Sequence, residues 1–232
     1  MSTAQAKAEV FRYLGHRGQE ISAELDTLVE ECMQVIRREA TPMQACKAFD
    51  ISFIEDGISL NNTEIILRGK DIGRHLQGCT QAVLMAQTLG IAADRIISQF
   101  ETADITKSLV LDACATQYVE ECCDNLEESI KRAASEKGQI ITLRFSPGYG
   151  DLPLEIQPKL IAALEAEKRI GLTCTQSLIM IPRKSVTAIV GVGAKTQYIT
   201  TENENCKACS LNETCSFKKG SGACGYSENT EE

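Results

Sequence analysis

Gln139-Ile140-Ile141-Thr142-Leu143-Arg144-Phe145-Ser146-Pro147-Gly148-Tyr149-Gly150-Asp151 is the stretch on which the reading of this chain turns. Its first half is rich in β-branched residues and predicts a strand over 139–145. Pro153 to Ala166 predicts a helix, so the stretch is a strand-to-helix turn with Arg144 at its entrance. Such a turn can hold a small zwitterion. An arginine fork meets a carboxylate with two parallel charge-assisted hydrogen bonds. Gly148 permits positive φ and close approach of the backbone to a ligand. Tyr149 offers an aromatic face to a cation and a hydroxyl to a polar group. Carboxylate, cation and flat ring together describe S-adenosylmethionine. Taken alone, the residues fit a plain Pro-Gly turn beside a solvated arginine at least as well.

Working outward, the pattern predicts an α+β domain: antiparallel strands with helices packed beside them. A first helix is expected over 4–14. A second carries Ile21, Leu25, Leu28, Val29, Cys32, Val35 and Ile36 on one face, at spacings of three and four. Ala45 to Ile54 reads as a strand. Ile58 to Leu67 reads as a strand pair turning at Asn61-Asn62, close enough in sequence to be antiparallel. Residues 71–137 read as helical nearly throughout: a short helix capped by Asp71, then Thr80–Leu89, then Ala92–Glu101, then a long helix opened by Asp104 and ended by Gly138. Further strands are expected at about 177–181 and over Val186–Val192. The domain should cover 1–199. A Cys-rich tail, 200–232, follows it.

Composition excludes several classes. The chain has 232 residues and is 43% hydrophobic but only 5% aromatic, so a sizeable core would be mainly aliphatic. A net charge of −8 argues against a nucleic-acid partner, which calls for a basic face. No apolar run reaches the length of a membrane span. Met1 to Lys7 lacks the apolar segment of a secretory signal, so a cytoplasmic protein is expected. Its eleven cysteines should then be reduced, metal-bound or redox-active and not a disulfide frame. Motifs for phosphate-binding loops, serine hydrolases and zinc proteases are absent, and there are only two histidines, His16 and His75. His75 reads as a helix-surface residue, with contact to a cofactor or a partner protein as the alternative. Cys122-Cys123 reads as helix packing.

Two motifs resemble a known family. Arg-x-x-x-Gly-Tyr, here Arg144 to Tyr149, is similar to the adenosylmethionine-binding motif of the activation domain of cobalamin-dependent methionine synthase. Ile170-Gly171-Leu172-Thr173, then Gln176 to Pro182, then Ser185-Val186 resembles that domain's IG-x-x-L-T-E-S-x-x-M-x-P-x-x-S-V segment. Order and spacing agree from 144 to 192. Two departures stand out. The family continues Tyr-Pro-Ala-Cys-Pro where this chain has Tyr149-Gly150-Asp151-Leu152-Pro153, and Gln176 replaces a frequent Glu.

The resemblance implies a stand-alone reactivation module. Arg144 would hold the ligand's carboxylate, and Pro147, Gly148, Tyr149 and Gly150 would line the site. Cobalamin would be presented by a methionine synthase polypeptide that lacks this module, with flavodoxin or ferredoxin as electron donor. The lack of acid–base machinery agrees with this, because such a methyl transfer needs alignment more than proton transfer.

The tail carries a separate expectation. Cys206, Cys209, Cys215 and Cys224 lie within nineteen residues and could fill a zinc site or ligate an iron–sulfur cluster. The spacing matches neither the two-pair zinc ribbon nor the usual ferredoxin run. A metal is favoured over free thiols because so little apolar material is there to order the segment. Two other functions stay open: a redox or metal-binding accessory protein, and an activator of a different corrinoid methyltransferase.

Overall fold

Serines begin the first two helices. The computed structural model, which describes residues 2–16 and 18–194, opens with α1 (Thr3–Tyr13), where Ser2 and Gln5 form a reciprocal capping box. Ser22 caps α2 (Ala23–Glu39) through the Leu25 amide. Then come β1 (Met43–Ile54), β2 (Gly57–Leu60), β3 (Ile66–Leu67), α3 (Lys70–His75), β4 (Cys79–Thr88), α4 (Ile91–Phe100) and α5 (Ile105–Ser135). β5 (Gln139–Ile141), α6 (Gln157–Ala163), α7 (Ala166–Ile170), β6 (Thr173–Cys174), β7 (Met180–Ile181) and β8 (Ser185–Ala194) complete the described chain.

Six strands form one sheet in the order β3-β2-β1-β4-β8-β5, and β6 and β7 form a separate pair. The pairs β1/β2, β2/β3, β5/β8 and β6/β7 are antiparallel. The α+β class expected from the sequence is therefore the observed one. The hairpin predicted between Ile58 and Leu67 is present, with Asn62 at φ 62° in the turn. Asp104 does open the long helix: its carboxylate accepts from the Lys107 amide at 3.0 Å.

One element differs in kind. Thr80–Leu89, expected as a helix, is strand β4, between β1 and β8 in the sheet order. Ala82 to Thr88 are all buried, so both faces of the strand are covered. A strand covered on both faces has no reason to alternate, and an unbroken apolar run has no diagnostic period. Ala, Leu, Met and Gln favour helix locally; burial in the sheet overrides that weak preference.

Smaller corrections concern boundaries. The predicted 139–145 strand shortens to β5, with Phe145 returning as an isolated bridge to Ile189. The Pro153–Ala166 helix is a 3₁₀ turn at Leu154–Ile156, then α6, then α7. The two helices are separated by Glu165 in the left-handed conformation, φ 51°.

The described chain divides into two compact units, each discontinuous in sequence. The helical unit comprises 2–46, 85–129 and 160–187. Its core gathers Val10, Val29, Cys32, Ile36, Leu89, Leu111 and Cys114, all essentially solvent-free. The second unit comprises 47–84, 130–159 and 188–194. Ile58, Leu60, Leu67, Ile72, Leu76, Leu84, Leu152 and Ile189 are fully buried in it. Among the described residues, no helix is long and apolar enough to cross a membrane.

Candidate functional site

The turn from Arg144 to Asp151 lies wholly within the second unit. Its entrance is pinned to β8: the Thr142 amide donates to Gly191 O at 2.9 Å, and Phe145 and Ile189 exchange two backbone bonds of 2.9 Å. Thr142 Oγ1 accepts from the Gly191 amide at 2.8 Å. Gly191 leaves no room for anything larger, since a Cβ there would fall 2.6 Å from Cys79 Sγ.

Inside the turn, the Gly148 amide donates to Leu152 O at 2.9 Å and the Tyr149 amide to Ser146 O at 3.0 Å. Those two N–H groups are spent within the turn. Arg144 is half-buried, and its Nη1 is shielded from solvent. Gly148 has φ 86°, which favours glycine. Pro147 is buried, whereas Tyr149 is 53% exposed. The Tyr149 ring sits edge-on to Phe145, centroids 6.2 Å apart. The turn thus combines a partly desolvated cation, a glycine in the left-handed region and an accessible aromatic ring. That set fits a small ligand carrying a carboxylate, a cation and a flat ring.

His75 is not a helix-surface residue, as its local sequence suggested. It closes α3, is 5% exposed, and lies against the turn's entrance. Its Nε2 is 2.9 Å from Leu143 O and 2.9 Å from Thr142 Oγ1. A carbonyl only accepts, so Nε2 carries the proton. Burial pushes the imidazole down to about 4, against the smaller opposing effect of the Leu143 carbonyl, so the ring is neutral at pH 7. The ring also packs 4.9 Å from that of Phe145.

Asp71 does not cap α3. Gly69 is the N-cap residue and has no side chain to offer; the carboxylate of Asp151 fills the role from 81 residues away. Asp71 instead pairs with Arg74 one turn along the helix.

The second family-like segment lies in the helical unit. Gly171, φ 64°, ends α7 in the left-handed conformation that such a terminus calls for. Ser185 Oγ donates to Pro182 O at 2.7 Å and lies 2.8 Å from Thr88 Oγ1, which gives the Pro-x-x-Ser spacing a structural reason.

The seven cysteines among the described residues are free thiols. No group of three or more potential metal ligands occurs among the described residues. Cys206, Cys209, Cys215 and Cys224 lie outside them.

A family model for the activation domain of vitamin B12-dependent methionine synthase matches residues 75–205. With that match spanning more than half of its length, the chain belongs to the methionine synthase activation domain family. In fold it is similar to a solved structure described as the MetH reactivation domain bound to AdoHcy, with a TM-score of 0.61 and 16% identity over 89% of this chain and 82% of that one. A comparison with curated proteins found no match.

Proposed function

We propose that this protein binds S-adenosylmethionine at the Arg144–Gly150 turn and serves the reductive methylation of cob(II)alamin on a methionine synthase polypeptide that lacks this domain. The observation that carries the reading is the turn itself. Arg144 enters it with Nη1 buried, Gly148 sits in the left-handed region, and Tyr149 stands exposed beside them. Family membership supports it, and so does the related reactivation domain, whose description records bound AdoHcy.

In this reading Arg144 takes the ligand's carboxylate, Tyr149 lies near the sulfonium, and Pro147, Gly148 and Gly150 shape the wall. When bound, the ligand supplies a sulfonium methyl group. The protein's own residues contribute binding and orientation, the main needs of such a transfer. Both histidines have backbone contacts within the chain. His75 Nε2 is committed to Leu143 O, and His16 Nε2 lies against Gln19 O. In this reading the cobalamin is presented by the partner polypeptide, with flavodoxin or ferredoxin as electron donor.

Calorimetry with adenosylmethionine tests the proposal. Wild-type protein should bind, and Arg144→Ala should lose on the order of 2–5 kcal/mol, the cost of removing a desolvated charged partner. Equal affinity in a folded Arg144→Ala protein would refute the assignment.

The tail cysteines Cys206, Cys209, Cys215 and Cys224 are proposed to bind one metal, zinc or an iron–sulfur cluster, on the strength of their density in the sequence. Metal analysis after anaerobic purification should find about one site per chain. Four freely titrating tail thiols would exclude it.

A further inference from the structure

The departures from the family pattern just after Tyr149 meet at one place in the fold. Asp151 Oδ2 accepts from the Lys70 amide at 2.6 Å, and Oδ1 from the Asp71 amide at 3.0 Å. These are the first two amides of α3, which its own N-cap glycine leaves uncapped by any side chain. Both glycines in the contact are required by it. Gly69 has φ 141°, and a Cβ there would lie 2.4 Å from Asp151 Oδ1. Gly150 has φ 52°, and a Cβ there would lie 2.4 Å from Asp71 Oδ2. The family's Pro-Ala at positions 150 and 151 is incompatible with this arrangement. Proline cannot reach φ 52°, and alanine has no acceptor for the two amides.

The other end of the same short helix holds the other end of the same turn. His75 donates to Leu143 O, one residue before Arg144, and its ring packs on Phe145. Six helical residues span only about 9 Å. The turn that carries Arg144, Gly148 and Tyr149 is therefore fastened at entrance and exit to one small rigid body.

We propose that Asp151 is a positioning residue for the ligand turn: by capping α3 across the chain it sets where Gly148 and Tyr149 stand relative to Arg144. The proposal rests on the reading of Arg144–Gly150 as the ligand site. Asp151 acts through α3, to whose amides both of its carboxylate oxygens are bonded.

The test combines calorimetry with amide hydrogen exchange on the whole chain, using adenosylhomocysteine and adenosylmethionine as probes. Asp151→Ala should speed exchange at Lys70 and Asp71 and weaken both ligands about tenfold, the scale of one lost cap. Asp151→Asn keeps one acceptor oxygen and should restore part of the affinity. Lys70→Pro removes one donor at the first helical position, where proline is tolerated, and should weaken binding without altering Asp151. That variant keeps the question answerable if Asp151→Ala fails to fold. Ligand affinity that survives Asp151→Ala and Lys70→Pro in folded proteins overturns the positioning role alone. No binding by the wild-type chain overturns the ligand reading and the positioning role with it.

Discussion

Around Cys32 and Cys114 the helical unit is held by apolar packing, whereas around Thr142 and His75 the turn-bearing unit is held by hydrogen bonds aimed at single atoms. In the first, burial pushes the Cys32 and Cys114 thiols up to about 11 and about 12, so they behave as small neutral hydrophobes. Packing of this kind depends on volume and tolerates small displacements. In the second, Gly191, Thr142, His75 and Leu143 form a connected polar chain that ends at the Leu143 carbonyl, one residue before Arg144. Buried polar networks tolerate little displacement, because an unmet donor costs more than a met one gains. A fold can be stabilised by the first kind of contact; a ligand-binding turn needs the second to fix its position.

The largest effect should come from breaking the apolar side. Ile36 is 1% exposed in the helical core. Ile36→Ala should cost about 2–5 kcal/mol in denaturant unfolding. Ligand affinity per folded molecule should stay unchanged. A parallel loss of affinity would mean that the two regions are not separable as argued.

His75 should make the polar side pH-sensitive. An unfolded histidine titrates near 6.5 and the folded one near 4. Between those values the unfolded chain takes up a proton that the folded one refuses. His75 therefore adds no pH dependence above 6.5 and a growing penalty as pH falls from 6.5 towards 4, reaching at most about 3 kcal/mol. His75→Gln keeps an N–H donor and removes the titration. Stability curves of the two proteins should converge at neutral pH and separate in acid; curves that stay parallel would contradict the buried neutral ring.

Thr142→Val should have the smallest effect, about 1–3 kcal/mol, by leaving the buried Gly191 amide without its acceptor. It should also weaken adenosylmethionine binding, which Ile36→Ala should not. Full affinity in Thr142→Val would show that the chain from Gly191 to the Leu143 carbonyl carries no positioning.

Elements with one exposed face were legible in the sequence. α2 and α5 announced themselves by spacing, and the β2–β3 hairpin by Asn61-Asn62. β4 was not legible, because every residue from Ala82 to Thr88 is buried and a strand without a wet face has no alternation to read. Gly78 and Gly90, bracketing the ten-residue strand, were the available signal. At the site, Arg144, Gly148 and Tyr149 stood out as a motif. His75 did not, since its burial depends on Leu143, 68 residues away. Asp151 looked like a mere departure from the family pattern, because its partners at 70 and 71 are remote in sequence.

The hydrogen bond between the Gly191 amide and Thr142 bridges 49 residues. The turn is thus assembled from an early piece of chain and a late one, and loop closure has to precede its reward. A ribosome can finish the Arg144–Asp151 stretch and still have no binding site to show, because the strand that fixes its entrance has not yet been made. If the turn is the ligand site proposed above, affinity depends on β8: a nascent or clipped chain lacking β8 keeps its Arg-x-x-x-Gly-Tyr letters but not the place where they are read.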